Sequence, residues 1–345
     1  MRRSVLPVLF LVGPTGSGKT ELSLLAARRL GCEIISVDSM LVYKGMDIGT
    51  AKPSLSERHG VPHHLVDRIS PRSSFSVHEH RKQALHAIEK IFQKGRLPLI
   101  VGGSGLYLRA LWKGLSAHPG GDPRLRKQIE AQIQEKGLSS LYERLRSLDP
   151  VRAKGIHPHD QRRIVRALEI AELSGRPPSD WFREKESLED LGFAVRVFGI
   201  RRDRADLYER IDRRVEGMFR KGLIREVKKL KKAGFSKTAG QALGYREILD
   251  YLKKRKGIPA GSSLFLIHLI QKRTRQFAKR QLTWFRHEGG IQWVDWKRGE
   301  PPLLVCDRIV KEAQAWLENE LGWSSSSGRR KTETASARVT RKSRN

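Results

Sequence analysis

An apolar run, Val5 to Val12, leads straight into Gly13, Pro14, Thr15, Gly16, Ser17, Gly18, Lys19 and Thr20, which match G-x-x-x-x-G-K-[ST] in full. No other feature constrains the fold as much, because the string has chemical meaning only as the turn between a buried strand and a helix. Glu21 to Leu30 carries the helical pattern that should follow. In that setting the backbone N–H groups of the glycine loop and helix start point at phosphate oxygens. Lys19 adds a point charge, and the Thr20 hydroxyl can ligate Mg²⁺. Met1, Arg2 and Arg3 ahead of the apolar run imitate a secretion signal, but the run lacks a small-residue cleavage site and reads as a strand.

Further along, Glu33 to Asp38 is a short apolar strand ending on an acid. Val77 to Gln93 is helical, and Leu97 to Val101 is a strand running into Gly102 and Gly103. Strand, helix, strand, helix, strand implies an α/β fold, a P-loop NTPase-like parallel sheet flanked by helices. From Asp122 to Glu189 the pattern turns to polar, charged helices, and Phe193 to Ile200 then restores a strand. The expected division is therefore a discontinuous core at 1–121 and 190–323, an all-helical insertion at 122–189 and a basic tail at 324–345. Amphipathic helices are expected at Asp203–Lys221, Ile224–Ala233, Tyr245–Lys254 and Ser263–Arg286, punctuated by glycines at 217, 222, 234, 240 and 244. A strand at Ile291–Val294 and a helix at Val305–Leu321 follow. The tail has too little to bury and should be disordered.

Charge narrows the partner. The chain has 68 Lys and Arg against 37 Asp and Glu, a formal net charge of +31. Seven of the cations and one acid lie after Trp323, so the body alone holds +25. Such an excess calls for a polyanion, nucleic acid first. Two segments concentrate it: Gln161 to Arg166, and Lys272 to Arg286, where Phe277, Trp284 and Phe285 interleave with cations in the manner of a surface that stacks unpaired bases. No run reaches the roughly 20 apolar residues of a spanning helix. Cys32 and Cys306 stand apart, which excludes a disulfide framework and fits a cytoplasmic protein. The histidines, among them His63, His64, His157 and His159, lack partners at ligand spacing and read as surface or capping residues.

An ordinary P-loop NTPase puts an Asp at the end of a further strand to organise Mg²⁺, but Leu97 to Val101 ends in glycines. The carboxylate that the topology brings beside the phosphates is Asp38. Its strand-end position suits a general base, a magnesium ligand or a cap for the next turn, with the base foremost.

These residues resemble the bacterial tRNA dimethylallyltransferases. The likeness runs through Gly13 to Thr20, Ile35 to Pro53, Val101 to Tyr107, Arg166 to Glu169, Leu243 to Glu247 and Lys279 to Arg286, in the family's order, and covers roughly residues 5 to 320. It implies transfer of a dimethylallyl group from its diphosphate to the N6 amine of adenosine 37, immediately 3′ of the anticodon, in tRNAs reading codons that begin with U. It implies Asp38 as general base, Thr15 to Thr20 as the diphosphate cradle with Mg²⁺ on Thr20, Arg214 as clamp on the leaving group, and a monomer. It further implies RNA contacts from Asp38, Ser39, Met40 and Leu41, from Ser104 and Arg126, and from Arg162, Arg163, Ile164, Val165 and Arg166. Gln241, Ala242, Leu243, Gly244, Tyr245 and Arg246 complete that set, with Lys279, Arg280, Gln281, Leu282, Thr283, Trp284, Phe285 and Arg286. Position 104 is Ser where the family usually has Thr, which keeps the hydroxyl. The competing readings are a P-loop kinase of a small metabolite or nucleoside, which leaves the charge unexplained, and a non-catalytic RNA-binding protein, which leaves the P-loop and Asp38 without a purpose.

Overall fold

A computed structural model describes residues 5–183, 185–254 and 262–323; the expectation for the tail at 324–345 falls outside them. The chain divides into two compact units, residues 1–111 with 192–345, and residues 112–191.

The first unit is built on β1 (Leu6–Val12), α1 (Lys19–Leu30), β2 (Cys32–Ser36), β3 (His63–His64), α2 (Val77–Gln93), β4 (Leu97–Gly102) and α3 (Gly105–Trp112). The second unit holds α4 (Pro123–Leu148), α5 (Pro150–Lys154), α6 (Gln161–Ser174) and α7 (Pro178–Arg183). The chain then returns to the first unit with β5 (Phe193–Arg202), α8 (Arg204–Arg220), α9 (Leu223–Ala233), α10 (Tyr245–Lys254), α11 (Ser262–Arg286), β6 (Ile291–Trp296) and α12 (Pro302–Ala315).

All six strands run parallel, in the order β3-β2-β4-β1-β5-β6. β1 and β4 are buried along almost their whole lengths, as continuous apolar runs in a doubly covered parallel sheet must be. Because β1 lies between β4 and β5, the loops leaving β1 (residues 13–18) and β4 (residues 102–104) emerge side by side, with Val12 paired to Gly102. The loop after β2 emerges at the same carboxyl edge, where open α/β sheets bind their ligands. One apolar core joins the sheet to α1 and α12, and a second joins Val42, Tyr43 and Met46 to α8, α9, α10 and the first half of α11.

Several sequence expectations change. His63 and His64 are a sheet-edge strand, not surface caps: their backbones pair with Ile34 and Ile35, and His64 Nε2 lies 2.7 Å from the buried Glu33 carboxylate. His80 is also no surface residue; it is 1 % exposed and hydrogen-bonds the Ser36 carbonyl at 2.9 Å. The helix expected to reach Leu321 closes its α-form at Ala315 and continues as one wider turn, Trp316–Glu320. The helical unit begins at Trp112, ten residues before the composition shift. Leu188 N–H bonds the Trp112 carbonyl, and Arg166 donates to the Pro119 carbonyl at 2.6 Å, which ties the extended segment 112–121 to that unit.

Candidate active site

α1 starts without a side-chain cap. Its first residue, Lys19, follows Gly18 at φ 89°, so the amides at the helix start face outward as an anion site. The loop before it is fastened from behind. Arg202, at the end of β5, donates through Nε to the Ser17 carbonyl at 2.9 Å, and Arg210 on α8 does the same to the Gly16 carbonyl at 3.1 Å. With these carbonyls turned toward the arginines, the peptide N–H groups are turned toward the anion site. The Arg202 guanidinium lies 3.5 Å over the Trp296 ring, and a Cβ on Gly18 would sit 2.5 Å from that same ring. Glycine is therefore required at 18 both for its positive φ and for this close approach.

Asp38 lies two residues past β2. One carboxylate oxygen, Oδ1, accepts the Met40 N–H at 2.9 Å, and Ser39 N–H donates to Ser104 Oγ at 3.2 Å. The turn that Asp38 caps thus also fixes its carboxylate, leaving Oδ2 for a substrate. Capping and general-base roles are compatible in one geometry.

A cavity of about 380 Å³ joins these parts. Thr15, Lys19, Thr20, Asp38 and Arg214 contribute polar groups to its lining, and Val215, Met218, Leu243, Ile270 and Phe277 contribute apolar ones. Desolvation pushes the Lys19 ammonium down to about 8, with Asp38 resisting and Arg214 adding to the shift. Desolvation likewise lowers Arg214, again against Asp38. Arg214 is aimed by a 3.1 Å hydrogen bond to the Thr50 carbonyl. Two desolvated cations facing a single carboxylate form a site short of negative charge, which a diphosphate supplies.

The loop carrying Thr50 is held in turn by Glu226 on α9. Its carboxylate accepts the N–H groups of Asp47, Ile48 and Gly49 at 3.1, 2.8 and 3.1 Å, and it also takes the Tyr245 hydroxyl.

The expected RNA contacts divide into two groups. Ser39, Met40, Leu41, Ser104, Gln241, Ala242, Leu243, Gly244, Arg246 and Arg280 line the cavity. Lys279, Thr283 and Arg286 are exposed on α11, and Arg162 and Arg163 are exposed on α6. Others are buried or engaged within the protein. Tyr245 is 0 % exposed and spends its hydroxyl on Glu226. Phe285 is a core residue of α11, and Ile164 and Val165 are core residues of the helical unit. Leu282 packs beside the small core of Leu207, Ile211 and Ala278, while Trp284 lies against Gly105 with the Arg109 guanidinium 5.2 Å from its ring. Arg126 and Arg166 both engage the fully buried Glu169, at 2.7 Å for Arg126, and thereby brace the helical unit. Gln281 is 8 % exposed and bonded on both sides to backbone.

Reasoning from sequence missed Arg202, Arg210, Trp296 and Glu226. Only Arg210 had a usable signal, standing one helical turn before Arg214.

A parallel sheet with a glycine-rich phosphate loop at its carboxyl edge defines the P-loop class, here with a base-like carboxylate and apolar side chains lining the same cavity. Within that class the chain belongs to the IPP transferase family, whose model matches residues 41–288. It is 42 % identical to the tRNA dimethylallyltransferase of Pelotomaculum thermopropionicum, over 91 % of this chain and 98 % of the relative. Identity to the enzyme of the same name from Geobacter metallireducens is 45 %, over 84 % and 92 %. Among solved structures, the full-length tRNA isopentenylpyrophosphate transferase of Bacillus halodurans is 37 % identical, with TM-score 0.64 and coverage of 92 % of this chain and 97 % of that one. A eukaryotic dimethylallyltransferase described as acting on tRNA superposes with TM-score 0.73 at 28 % identity, over 91 % and 79 %.

Proposed function

We propose that this chain transfers a dimethylallyl group from dimethylallyl diphosphate to the exocyclic N6 amine of adenosine 37, immediately 3′ of the anticodon, in tRNAs reading codons that begin with U, and releases pyrophosphate. The observation that carries the reading is the single cavity in which a phosphate loop, a free carboxylate oxygen of Asp38 and apolar side chains meet. An adenine amine is a weak nucleophile because its lone pair is delocalised into the ring, so a positioned base is useful. Asp38 Oδ2 takes the amine proton as nitrogen bonds to the allylic carbon and the carbon–oxygen bond to diphosphate breaks. The charge released on the leaving group falls on the loop amides, Lys19 and Arg214. Val215, Met218, Leu243 and Phe277 receive the five-carbon chain and exclude water from it.

The cavity fits Mg²⁺. The Thr20 hydroxyl, which lines the cavity at the start of α1, would hold the ion, and Asp38 is kept for the proton. A site with few hard oxygen donors, completed by phosphates and water, is the usual magnesium arrangement. When bound there, the ion would neutralise charge on the leaving diphosphate.

The exposed cations Lys279, Arg280 and Arg286 of α11, and Arg162 and Arg163 of the helical unit, are assigned to the tRNA backbone of the anticodon stem-loop. We assign the chain to the cytoplasm as a monomer; both cysteines are free and buried, and no helix among the described residues is long and apolar enough to cross a membrane. Incubating the protein with Mg²⁺, labelled dimethylallyl diphosphate and tRNA tests the proposal: label should enter RNA without ATP. ATP hydrolysis with no label transfer would replace it with the kinase reading.

A further inference from the structure

We infer that Gln281 is a positioning residue that holds the prenyl-donor loop and the acceptor-base loop at a fixed separation. The inference rests on the proposed transfer reaction. The side chain projects from α11 into the floor between the two loops. Its Oε1 accepts the Thr15 N–H at 2.8 Å, and its Nε2 donates to the Gly103 carbonyl at 2.8 Å. These opposite demands fix the amide's orientation, since a flipped amide would set donor against donor and acceptor against acceptor. The approach is close: a Cβ on Gly103 would lie 2.7 Å from Nε2 and 2.8 Å from the Gly13 carbonyl, so position 103 has no room for a side chain.

The two backbone groups belong to different halves of the chemistry. Thr15 begins the loop that cradles the diphosphate. Gly103 precedes Ser104, whose Oγ accepts the Ser39 N–H, and Ser39 adjoins Asp38 in the turn that aims the carboxylate. One amide thus bridges the leaving-group cradle and the strap that carries the base. β1 and β4 pair up to Val12 and Gly102, but the ladder ends there. Beyond it, the Gln281 side chain bridges the loops of β1 and β4. Reaction rate depends on such spacing far more than ground-state affinity does, because a small displacement between two separately bound reactants removes alignment without removing either set of contacts.

The family resemblance places Gln281 within an RNA-contacting run. In the structure its neighbours Lys279 and Arg280 are exposed, whereas Gln281 points inward. This predicts a particular kinetic signature. Gln281→Met, similar in length and unable to make either bond, should lower kcat by about tenfold to a hundredfold. Its affinities for dimethylallyl diphosphate and for an anticodon stem-loop, each measured alone, should stay within about threefold of wild type.

Gln281→Glu keeps the shape and the acceptor for Thr15 but loses the donor to Gly103. It should lose kcat at neutral pH and recover part of it as the pH is lowered and the new carboxyl gains a proton. A kcat within about twofold of wild type in both variants, or a fall in kcat matched by an equal fall in either affinity, overturns the inference and leaves Gln281 an ordinary packing or contact residue. A wild-type protein that transfers no prenyl group sinks the functional reading and this inference with it; normal wild-type transfer beside unaffected variants sinks the inference alone.

Discussion

Lys19 gives the sharpest quantitative handle on the phosphate site. Its ammonium is lowered from the ordinary 10.5 to about 8 by desolvation in the free protein. An anion beside it must pull the proton back on, so binding and protonation are linked. With a value near 8, about nine-tenths of the chains carry the charge at pH 7 and about one-tenth at pH 9, so diphosphate affinity should fall about tenfold across that interval. The same linkage requires uptake of about half a proton per binding event at pH 8 and nearly a full one at pH 9. Calorimetry with dimethylallyl diphosphate, without RNA so that no transfer occurs, reads this uptake from the dependence of the heat on buffer ionisation enthalpy. Lys19→Arg supplies the control, since a guanidinium does not titrate here and its affinity should stay flat. In the absence of ligand the sign reverses: between about 8 and 10.5 the unfolded chain holds the Lys19 proton more firmly than the folded one. This group's contribution to stability therefore rises with pH in that window. Flat affinity from pH 7 to 9 in wild type, or no proton uptake at pH 8, would refute the placement of a desolvated Lys19 against the diphosphate.

The remaining expectations follow from the same geometry. Asp38→Asn keeps the cap on Met40 but removes the base, so transfer should fall by about 100-fold or more while stem-loop affinity changes by no more than a few-fold; near-normal transfer would remove Asp38 as base. Arg280→Ala should weaken stem-loop binding and reduce the slope of log affinity against log salt by about one, measured by filter binding over a salt series. Arg210→Met frees the Gly16 carbonyl and should cost about tenfold in diphosphate affinity with RNA binding unchanged; an unaltered affinity would show that the loop supports itself. Tyr245→Phe should cost about 1–2 kcal/mol in denaturant unfolding, since the Glu226 carboxylate loses one of four donors, and it should leave RNA affinity intact.

What sequence could and could not reveal follows from the range of the interactions. The phosphate loop and Asp38 were legible because each is local: a strand, a turn and a helix start written in consecutive residues. Arg214 and the buried or exposed fate of the RNA-contacting runs were not local. Phe285 and Arg286 stand side by side in α11, yet one is buried and the other exposed, and nothing in composition says which of them faces the core. Tyr245 has the type and neighbourhood of a base-stacking residue. Only the Glu226 carboxylate, bound to the 47–49 loop, explains why its hydroxyl is committed. Arg202 and Gln281 each act on backbone atoms about 180 and 270 positions away, at 185 and 266 residues of separation, a relation that no spacing rule records. The start of the helical unit at Trp112 was hidden for a related reason: residues 113–121 have no regular pattern and are fixed to that unit by long-range bonds, among them those of Arg166, Leu188 and Glu189.

The most direct test of the whole reading is nucleoside analysis, by mass spectrometry, of an anticodon stem-loop RNA treated with this protein, Mg²⁺ and dimethylallyl diphosphate. Wild-type protein should convert the adenosine 3′ of the anticodon, and no other, to N6-isopentenyladenosine, and a guanosine at that position should leave the RNA unmodified. Prenylation at any other nucleotide, or none while ATP is consumed, would contradict it.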